Sequence, residues 1–340
     1  MRAAWLALLG GAAHARAYTL ITFDVDGTLV RSAGRAAEVS AHARAFAHAI
    51  GRVLGDGTTP TALPADLLAP ERYHGSTDGL IALNMARVAL GLAPEAVLPR
   101  LPEVMECMCD FFCALDDADA IRGMEALPGV LPALRALAEE VRAGRVLCGL
   151  VTGNVEGIAR KKMRAIGVTA TGALSPPHDG FACPYEPDAA VLGGFGSDFC
   201  SGDIDDASRQ HLDRAEQIAI ATRRANALLH HRSRANAIAT RHSATTTADG
   251  DGTSPQITRV VHVGDAPTDV LAARACAEDG RLGAGVVVGC VAVGTGRCAS
   301  DALRELAGPA RAGVWEPHTL ERGLADPDFV RLALGLVVGG

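Results

Sequence analysis

The sequence predicts an α/β fold in which a doubly wound, Rossmann-like parallel sheet carries an inserted all-helical domain. Four short runs of apolar and β-branched residues predict buried strands: Thr19–Phe23, Arg145–Val151, Arg259–Val263 and Gly285–Val293. Parallel strands require crossover connections, and helical patterns separate these runs along the chain. The second observation is a long block between the first two strands that shows helical periodicity alone.

This helical block sets the predicted domain boundaries. We expect residues 18–30 and 122–340 to form the α/β core, and residues 31–121 to form an all-helical cap domain inserted into it. Within the core, residues 222–256 are far longer than an ordinary connection and lack apolar periodicity, which predicts a flexible insertion. Residues 1–17 are interpreted as an N-terminal extension, with a targeting peptide as the alternative because they imitate a short signal sequence.

Composition limits the partners and the location of the protein. The net charge of −7, and the lack of aromatic residues for base stacking in the Arg-rich segment 222–256, argue against nucleic-acid binding. No uninterrupted stretch of about eighteen apolar residues is present, so we expect no membrane span. The nine cysteines are an odd number, which fits reduced thiols in an intracellular, cytoplasmic protein. The sequence does not indicate an oligomeric state.

Two carboxylates follow the first predicted strand. Asp24 and Asp26 are two residues apart, so their side chains point the same way if the strand geometry continues. Two acids this close favour a bound cation or a retained proton, and Gly27 allows a sharp turn directly after them. The pattern predicts a metal-dependent phosphoryl-transfer site at the carboxyl edge of the sheet. An Asp-rich turn that only caps the strand is the alternative.

Two further strand ends carry polar groups. Thr152, Gly153 and Asn154 separate a strand from a helix, an arrangement that binds phosphate at a helix N-terminus, although Thr152 could also be a simple N-cap. Asp265 and Asp269 follow the strand Arg259–Val263, and helix capping needs only one of these two carboxylates. The sequence therefore predicts that three strand ends contribute to one site.

Together these motifs resemble the haloacid dehalogenase-like hydrolase superfamily, in particular the phosphoglycolate phosphatase-like branch with a helical cap. The resemblance covers Thr19–Gly296 with one insertion, and His74–Asp78 is similar to the Gly-Ser/Thr-Asp element of that branch. It implies a doubly wound sheet with helices on both faces, a small phosphorylated metabolite as substrate, and Mg²⁺ as cofactor.

The resemblance also implies residue roles. Asp24 would be the nucleophile that forms an aspartyl-phosphate, and Asp26 would protonate the leaving oxygen and later deprotonate water. Thr152, with Gly153 and Asn154 beside it, would bind the transferring phosphoryl group. The implied metal site consists of four residues: Asp24, Asp26 through its backbone carbonyl, Asp265 and Asp269.

The family uses a basic residue against the phosphate and the nucleophile, and two candidates stay open here. The chain has two lysines, Lys161 and Lys162, in the helix after Asn154. We expect Lys161 on a solvated helix face and favour Lys162, because a Lys kept in an Arg-rich chain indicates a need for a compact point charge. Arg209, which follows the segment Gly196–Asp198, is the alternative.

The function predicted from the sequence is Mg²⁺-dependent hydrolysis of a small phosphomonoester. Two other functions use the same fold. A phosphosugar mutase would employ the same residues, and a non-catalytic regulatory protein would tolerate the loss of Asp24, against which the complete carboxylate set argues.

Overall fold

The computed structural model describes residues 17–32, 40–55, 73–169, 173–174, 191–243 and 255–336. Of the predicted N-terminal extension, Ala17 alone lies within these ranges, as the first residue of a strand.

Six parallel strands form the central sheet. Along the described chain, the strands are β1 (Ala17–Phe23), β2 (Val30–Ser32), β3 (Met124–Ala126), β4 (Val146–Thr152), β5 (Gly193–Phe195), β6 (Gln256–Gly264), β7 (Val287–Val293) and β8 (Trp315–Leu320). The order in the sheet is β5-β4-β1-β6-β7-β8, and every neighbouring pair is parallel. Strands β2 and β3 form a separate antiparallel ribbon. This topology confirms the predicted doubly wound α/β fold, with β5 and β8 as strands that the sequence did not predict.

Helices cover both faces of this sheet. The described helices are α1 (Ala41–Ala49), α2 (Asp78–Leu90), α3 (Pro94–Val97), α4 (Leu101–Ala114), α5 (Asp117–Ala120), α6 (Val130–Arg142), α7 (Glu156–Ala165), α8 (His211–Ser243), α9 (Pro267–Asp279), α10 (Ser300–Ala307) and α11 (Phe329–Ala333). Alternate residues of β1 enter opposite hydrophobic cores, because side chains alternate along a strand. Ile21 packs in the core that includes α6, α7 and α11, whereas Leu20 packs in the core that includes α8, α9 and α10.

The helices α1 to α5 form a unit between β2 and β3, with a hydrophobic core of their own. Phe46 of α1 and Phe112 of α4 lie in this core together with Ile158 of α7, so the unit packs on the α/β core through α7. Within the described chain, no single helix is long and apolar enough to cross a membrane. The stretches Asp78–Leu90 and Pro94–Ala114 meet that criterion as a pair, but they are bent by 112°.

The prediction of a flexible insertion at residues 222–256 is wrong for the part that the structure describes. Helix α8 continues through Thr222 to Ser243, and residues 244–254 lie outside the described residues. Leu228 and Leu229 are 1% and 2% exposed in the core on that face of the sheet, and the Asn226 side chain accepts a hydrogen bond from the Ile257 amide at 2.8 Å. The apolar residues of this segment are spaced so that they lie on one helical face. The many arginines between them obscure this pattern in the sequence.

Replacement of Leu228 by Ala should therefore destabilise the protein by about 2–5 kcal/mol, because it removes buried methyl groups and leaves a cavity. Urea unfolding measures this loss. The matched control is Arg223→Ala on the same helix, where the side chain is 62% exposed and paired with Glu216, so its effect should stay within about 0.5 kcal/mol. Equal stabilities of the two variants would contradict the packing described for α8.

Candidate active site

Three carboxylates converge at the carboxyl edge of the sheet. Asp24 follows β1 and Asp265 follows β6, which are neighbours in the sheet, and Asp269 lies in the first turn of α9. The next strand of the sheet after β1 is β4, on one side, and the next strand after β6 is β7, on the other side. Such a reversal of the strand order is a topological switch point, which opens a crevice between the ends of β1 and β6. One ligand oxygen from each residue lies within 4.8 Å of the others, and all three residues are buried.

Arg214 of α8 neutralises part of this negative charge. Its Nη1 donates to Asp24 Oδ1 at 2.8 Å and to the Val151 carbonyl at 2.9 Å, and its Nε lies 3.5 Å from Asp269 Oδ1. The side chain is 2% exposed. Arg214 was not predicted from the sequence, because no local pattern distinguishes it from the other arginines of the chain. The structure thus provides one buried cation for three buried acids.

The shortage of positive charge changes the acidity of the carboxyls. Burial raises the pKa of Asp24 to about 7, against the opposing effect of Arg214, and the neighbouring acids raise it further. Burial also raises the pKa of Asp265. The pKa of Asp269 is lowered, because Arg214 and His262 together outweigh burial there. A divalent cation would relieve this repulsion, and a set of carboxylate oxygens is the donor type that Mg²⁺ prefers.

Asp265 is held in place from two sides. Thr28 donates its hydroxyl proton to Asp265 Oδ1 at 3.1 Å, and His74 Nε2 lies 3.0 Å from Oδ2. Gly27 has a φ of 93°, and a Cβ atom there would lie 2.2 Å from Asp265 Oδ2. The turn after Asp26 therefore requires glycine both for its backbone conformation and for the approach of Asp265.

Asp269 is held by His262 and by the helix that carries it. His262 Nε2 lies 3.1 Å from Asp269 Oδ1, and the Ala266 amide donates to Oδ2 at 3.0 Å. The other ring nitrogen of His262 lies 3.0 Å from the Thr22 hydroxyl. His262 is fully buried inside β6, so it orients Asp269 from within the sheet.

Asp26 belongs to a second group beside the buried acids. Lys162 Nζ lies 3.0 and 2.9 Å from its two carboxylate oxygens and donates to Asn154 Oδ1 at 2.6 Å. Asn154 Nδ2 donates to Asp26 at 2.8 Å and to the Thr152 hydroxyl at 3.1 Å. The Asp26 side chain remains 47% exposed. Burial tends to raise the pKa of Asp26, but Lys162, His42 and Asn154 together outweigh this effect and the pKa is lowered.

The structure brings together most of the residues that the sequence singled out, but not Arg209. That side chain is 64% exposed, and its Nε lies 3.5 Å from Asp203. The expectation for Lys161 is wrong, because Lys161 is buried and donates to the Cys113 carbonyl at 2.9 Å. Lys162 lies at the site with its ammonium on Asp26, while Arg214 makes the contact with Asp24 that was expected of Lys162 or Arg209.

A cavity of about 520 Å³ opens beside this edge of the sheet. Helix α4, the first turn of α7 and residues 196–200 line it, with Met105, Glu156 and Phe199 among the side chains. The carboxylates at the strand ends are not part of its lining, so the chemistry of the site is assigned from the acidic cluster and not from this cavity.

No protein-family model matches the chain, and no curated protein matches it. One similar crystal structure is that of a "putative phosphatase" from Clostridium difficile, which is 11% identical and covers 90% of this chain and 94% of its own, with a TM-score of 0.36.

The Arg214–Asp24 pair generates the first prediction for this site. Without metal, Arg214→Met should destabilise the protein by about 3–5 kcal/mol, because it leaves buried carboxylates uncompensated. In the Asp24→Asn background the same substitution should cost less, since one of these charges is gone. Urea unfolding of the four proteins measures the coupling, with the exposed Arg223→Met as control. Equal losses in both backgrounds would contradict a direct interaction.

The acidic cluster generates a second prediction. Mg²⁺ should raise the thermal unfolding midpoint of the wild-type protein, because a ligand that binds the folded state alone stabilises it. Asp265→Asn should lose most of this rise, whereas Asp301→Asn, at a side chain 89% exposed on α10, should keep it. Differential scanning fluorimetry with and without EDTA makes the comparison. A rise of the same size in Asp265→Asn would exclude this cluster as the metal site.

Proposed function

We propose that this chain is a Mg²⁺-dependent phosphatase that hydrolyses a small phosphomonoester through an aspartyl-phosphate on Asp24. One observation carries the proposal. Asp24 lies among Asp265 and Asp269 at the switch point of the sheet, with one oxygen bonded to Arg214. A carboxylate held in this way is oriented for nucleophilic attack, and a phosphoryl group arriving there meets both a fixed cation and a metal-binding set of oxygens.

The three clustered acids fit a divalent metal by number, burial and oxygen chemistry. Asp24, Asp265 and Asp269 would hold it. When bound, Mg²⁺ supplies positive charge that offsets the charge of the acids and of the phosphoryl oxygens. The contacts of Asp265 with Thr28 and His74 would fix its orientation toward the ion, as partners of metal ligands commonly do.

Asp24 performs the first displacement in this proposal. One carboxylate oxygen forms a bond to phosphorus while the bond from phosphorus to the leaving oxygen breaks. Arg214 holds Asp24 Oδ1 at 2.8 Å during this step, and the guanidinium charge also attracts the phosphoryl group. Thr152 is fully buried, and its hydroxyl oxygen accepts from Asn154, which leaves the hydroxyl proton to donate to a phosphoryl oxygen.

Asp26 moves the proton in both steps. A phosphate dianion beside Asp26 opposes the effect of Lys162 and favours the protonated carboxyl. Asp26 then gives its proton to the leaving oxygen, and an alcohol departs. In the second step Asp26 takes a proton from water while the water oxygen attacks phosphorus and the bond to Asp24 breaks. Inorganic phosphate leaves, and both carboxyls return to their starting states.

The helical unit, α1 to α5 with the residues 73–77 that precede α2, would serve as a cap over this site. Its segment between residues 73 and 78 reaches both sides of the crevice. The Asp78 amide donates to the Gly153 carbonyl at 2.7 Å, and the Gly75 carbonyl accepts from Thr268 at 3.0 Å. We further propose that the chain belongs to the haloacid dehalogenase-like superfamily, on the combination of its three strand-end motifs with an inserted helical unit.

Phosphate release from a panel of alkyl, aryl and sugar phosphomonoesters tests the function. The wild-type protein should release phosphate with Mg²⁺ and stop in EDTA. Asp24→Asn should reduce turnover by at least about 10³-fold while it keeps the fold, since it removes the nucleophile. The exposed substitution Asp301→Asn is the control. Turnover of Asp24→Asn close to wild type would refute the aspartyl-phosphate, and movement of phosphate within a sugar without release would indicate a mutase.

A further inference from the structure

We infer that His42, on α1 of the helical unit, is a positioning residue for Asp26 and acts through Lys162. This inference rests on the proposed function, because it assigns Asp26 the role of proton donor. His42 was not singled out by the sequence, and it lies in a different element from every strand-end motif. Three linked contacts run from Asp78 to His42, from His42 to Lys162, and from Lys162 to Asp26.

The partners of His42 fix the role of each ring nitrogen. Nδ1 lies 3.4 Å from Lys162 Nζ, and Nε2 lies 3.0 Å from Asp78 Oδ2. An ammonium group can only donate, so Nδ1 is the acceptor. The carboxylate of Asp78 accepts, so Nε2 carries the proton. With these partners, the imidazole presents the Nδ1 lone pair to Lys162 and the Nε2 proton to Asp78.

Asp78 anchors this imidazole to the phosphate-binding segment. It is 2% exposed, and its Oδ2 also accepts from the Val155 amide at 2.7 Å. Val155 directly follows Asn154 and is the N-cap residue of α7. The ring of His42 also stacks on Phe46, with centroids 5.1 Å apart, and meets the edge of Phe112 at 6.2 Å. Both polar and aromatic contacts thus fix the direction of Nδ1.

Lys162 has one acceptor for each of its three protons. These acceptors are the Asp26 carboxylate, Asn154 Oδ1 and His42 Nδ1. The Lys162 side chain is 2% exposed, so water cannot easily replace a lost partner. Loss of the acceptor at His42 would leave one buried N–H unpaired and allow the ammonium to turn. Asp26, which is 47% exposed and depends on Lys162 and Asn154 for its orientation, would then lose its fixed position.

A misplaced Asp26 should slow the hydrolysis of some esters more than that of others, depending on the leaving group. Alkyl esters leave as strongly basic alkoxides and need a proton donor, whereas p-nitrophenolate leaves readily without one. The ratio of kcat/KM for an alkyl ester to that for p-nitrophenyl phosphate therefore reports on the donor. A general loss of folding or of phosphate binding lowers both values and leaves their ratio unchanged.

The experiment compares two substitutions that each keep one side of the imidazole. His42→Asn keeps an acceptor near the Nδ1 position toward Lys162, whereas His42→Gln keeps a donor near the Nε2 position toward Asp78. We measure kcat and KM with p-nitrophenyl phosphate and with the alkyl ester that the wild-type protein hydrolyses fastest. His48→Ala is the matched control, because His48 lies on the same helix and stacks on Phe111 at 4.8 Å.

His42→Gln should lower kcat/KM for the alkyl ester about 10- to 100-fold, mainly in kcat, and change kcat/KM for p-nitrophenyl phosphate by less than about threefold. His42→Asn should recover most of the alkyl activity, and His48→Ala should keep the wild-type ratio. An unchanged ratio in His42→Gln, with or without a fall in both activities, overturns the inference, as does recovery by Gln instead of Asn. A wild-type protein inactive on every ester refutes the proposed function itself.

Discussion

The structure depends on the burial of three like charges around one guanidinium. Asp24, Asp265 and Asp269 lie at a sheet edge where water is largely excluded, and Arg214 touches two of them. Buried carboxylates repel one another strongly, and acids held together at such a cost in stability are typical of functional sites. The sheet order explains how it arises, because β1 and β6 are adjacent and α8 packs against β4, β5 and β6 with its first turns at the same edge.

Helix α7 joins the helical unit to the site. Lys161 and Lys162 are adjacent, so their side chains leave the helix about 100° apart. Lys161 donates to a carbonyl of α4 and so holds the helical unit, while Lys162 reaches Asp26 at the strand edge. Because the N-cap residue of α7, Val155, directly follows Asn154, any displacement of the helical unit against the core acts on the segment Thr152–Asn154 and on Asp26 together.

Local sequence predicted the fold and the acidic residues, because both depend on neighbours in the chain. Continuous apolar runs mark β1, β4 and β6, and each carboxylate follows such a run. Strand β8 contains Pro317 and polar residues, and β5 has three residues, so neither has a distinct pattern. Arg214 and His42 could not be predicted, because their roles depend on partners far away in the sequence. Asp24 is 190 residues from Arg214, and Lys162 is 120 residues from His42.

The arrangement of the acceptors explains why one buried cation of the site is Lys162 and the other is Arg214. Lys162 meets three acceptors that surround a single nitrogen at 2.6 to 3.4 Å, which suits the three protons of a compact ammonium. A guanidinium at that position would bring five donors in one plane and leave several unpaired. Arg214 instead contacts Asp24 and the Val151 carbonyl through Nη1 and lies near Asp269 through Nε. Partners this far apart require a wide planar group. Almost all basic residues of the chain are Arg, so the Lys at position 162 follows from the geometry of its acceptors and not from the composition of the chain.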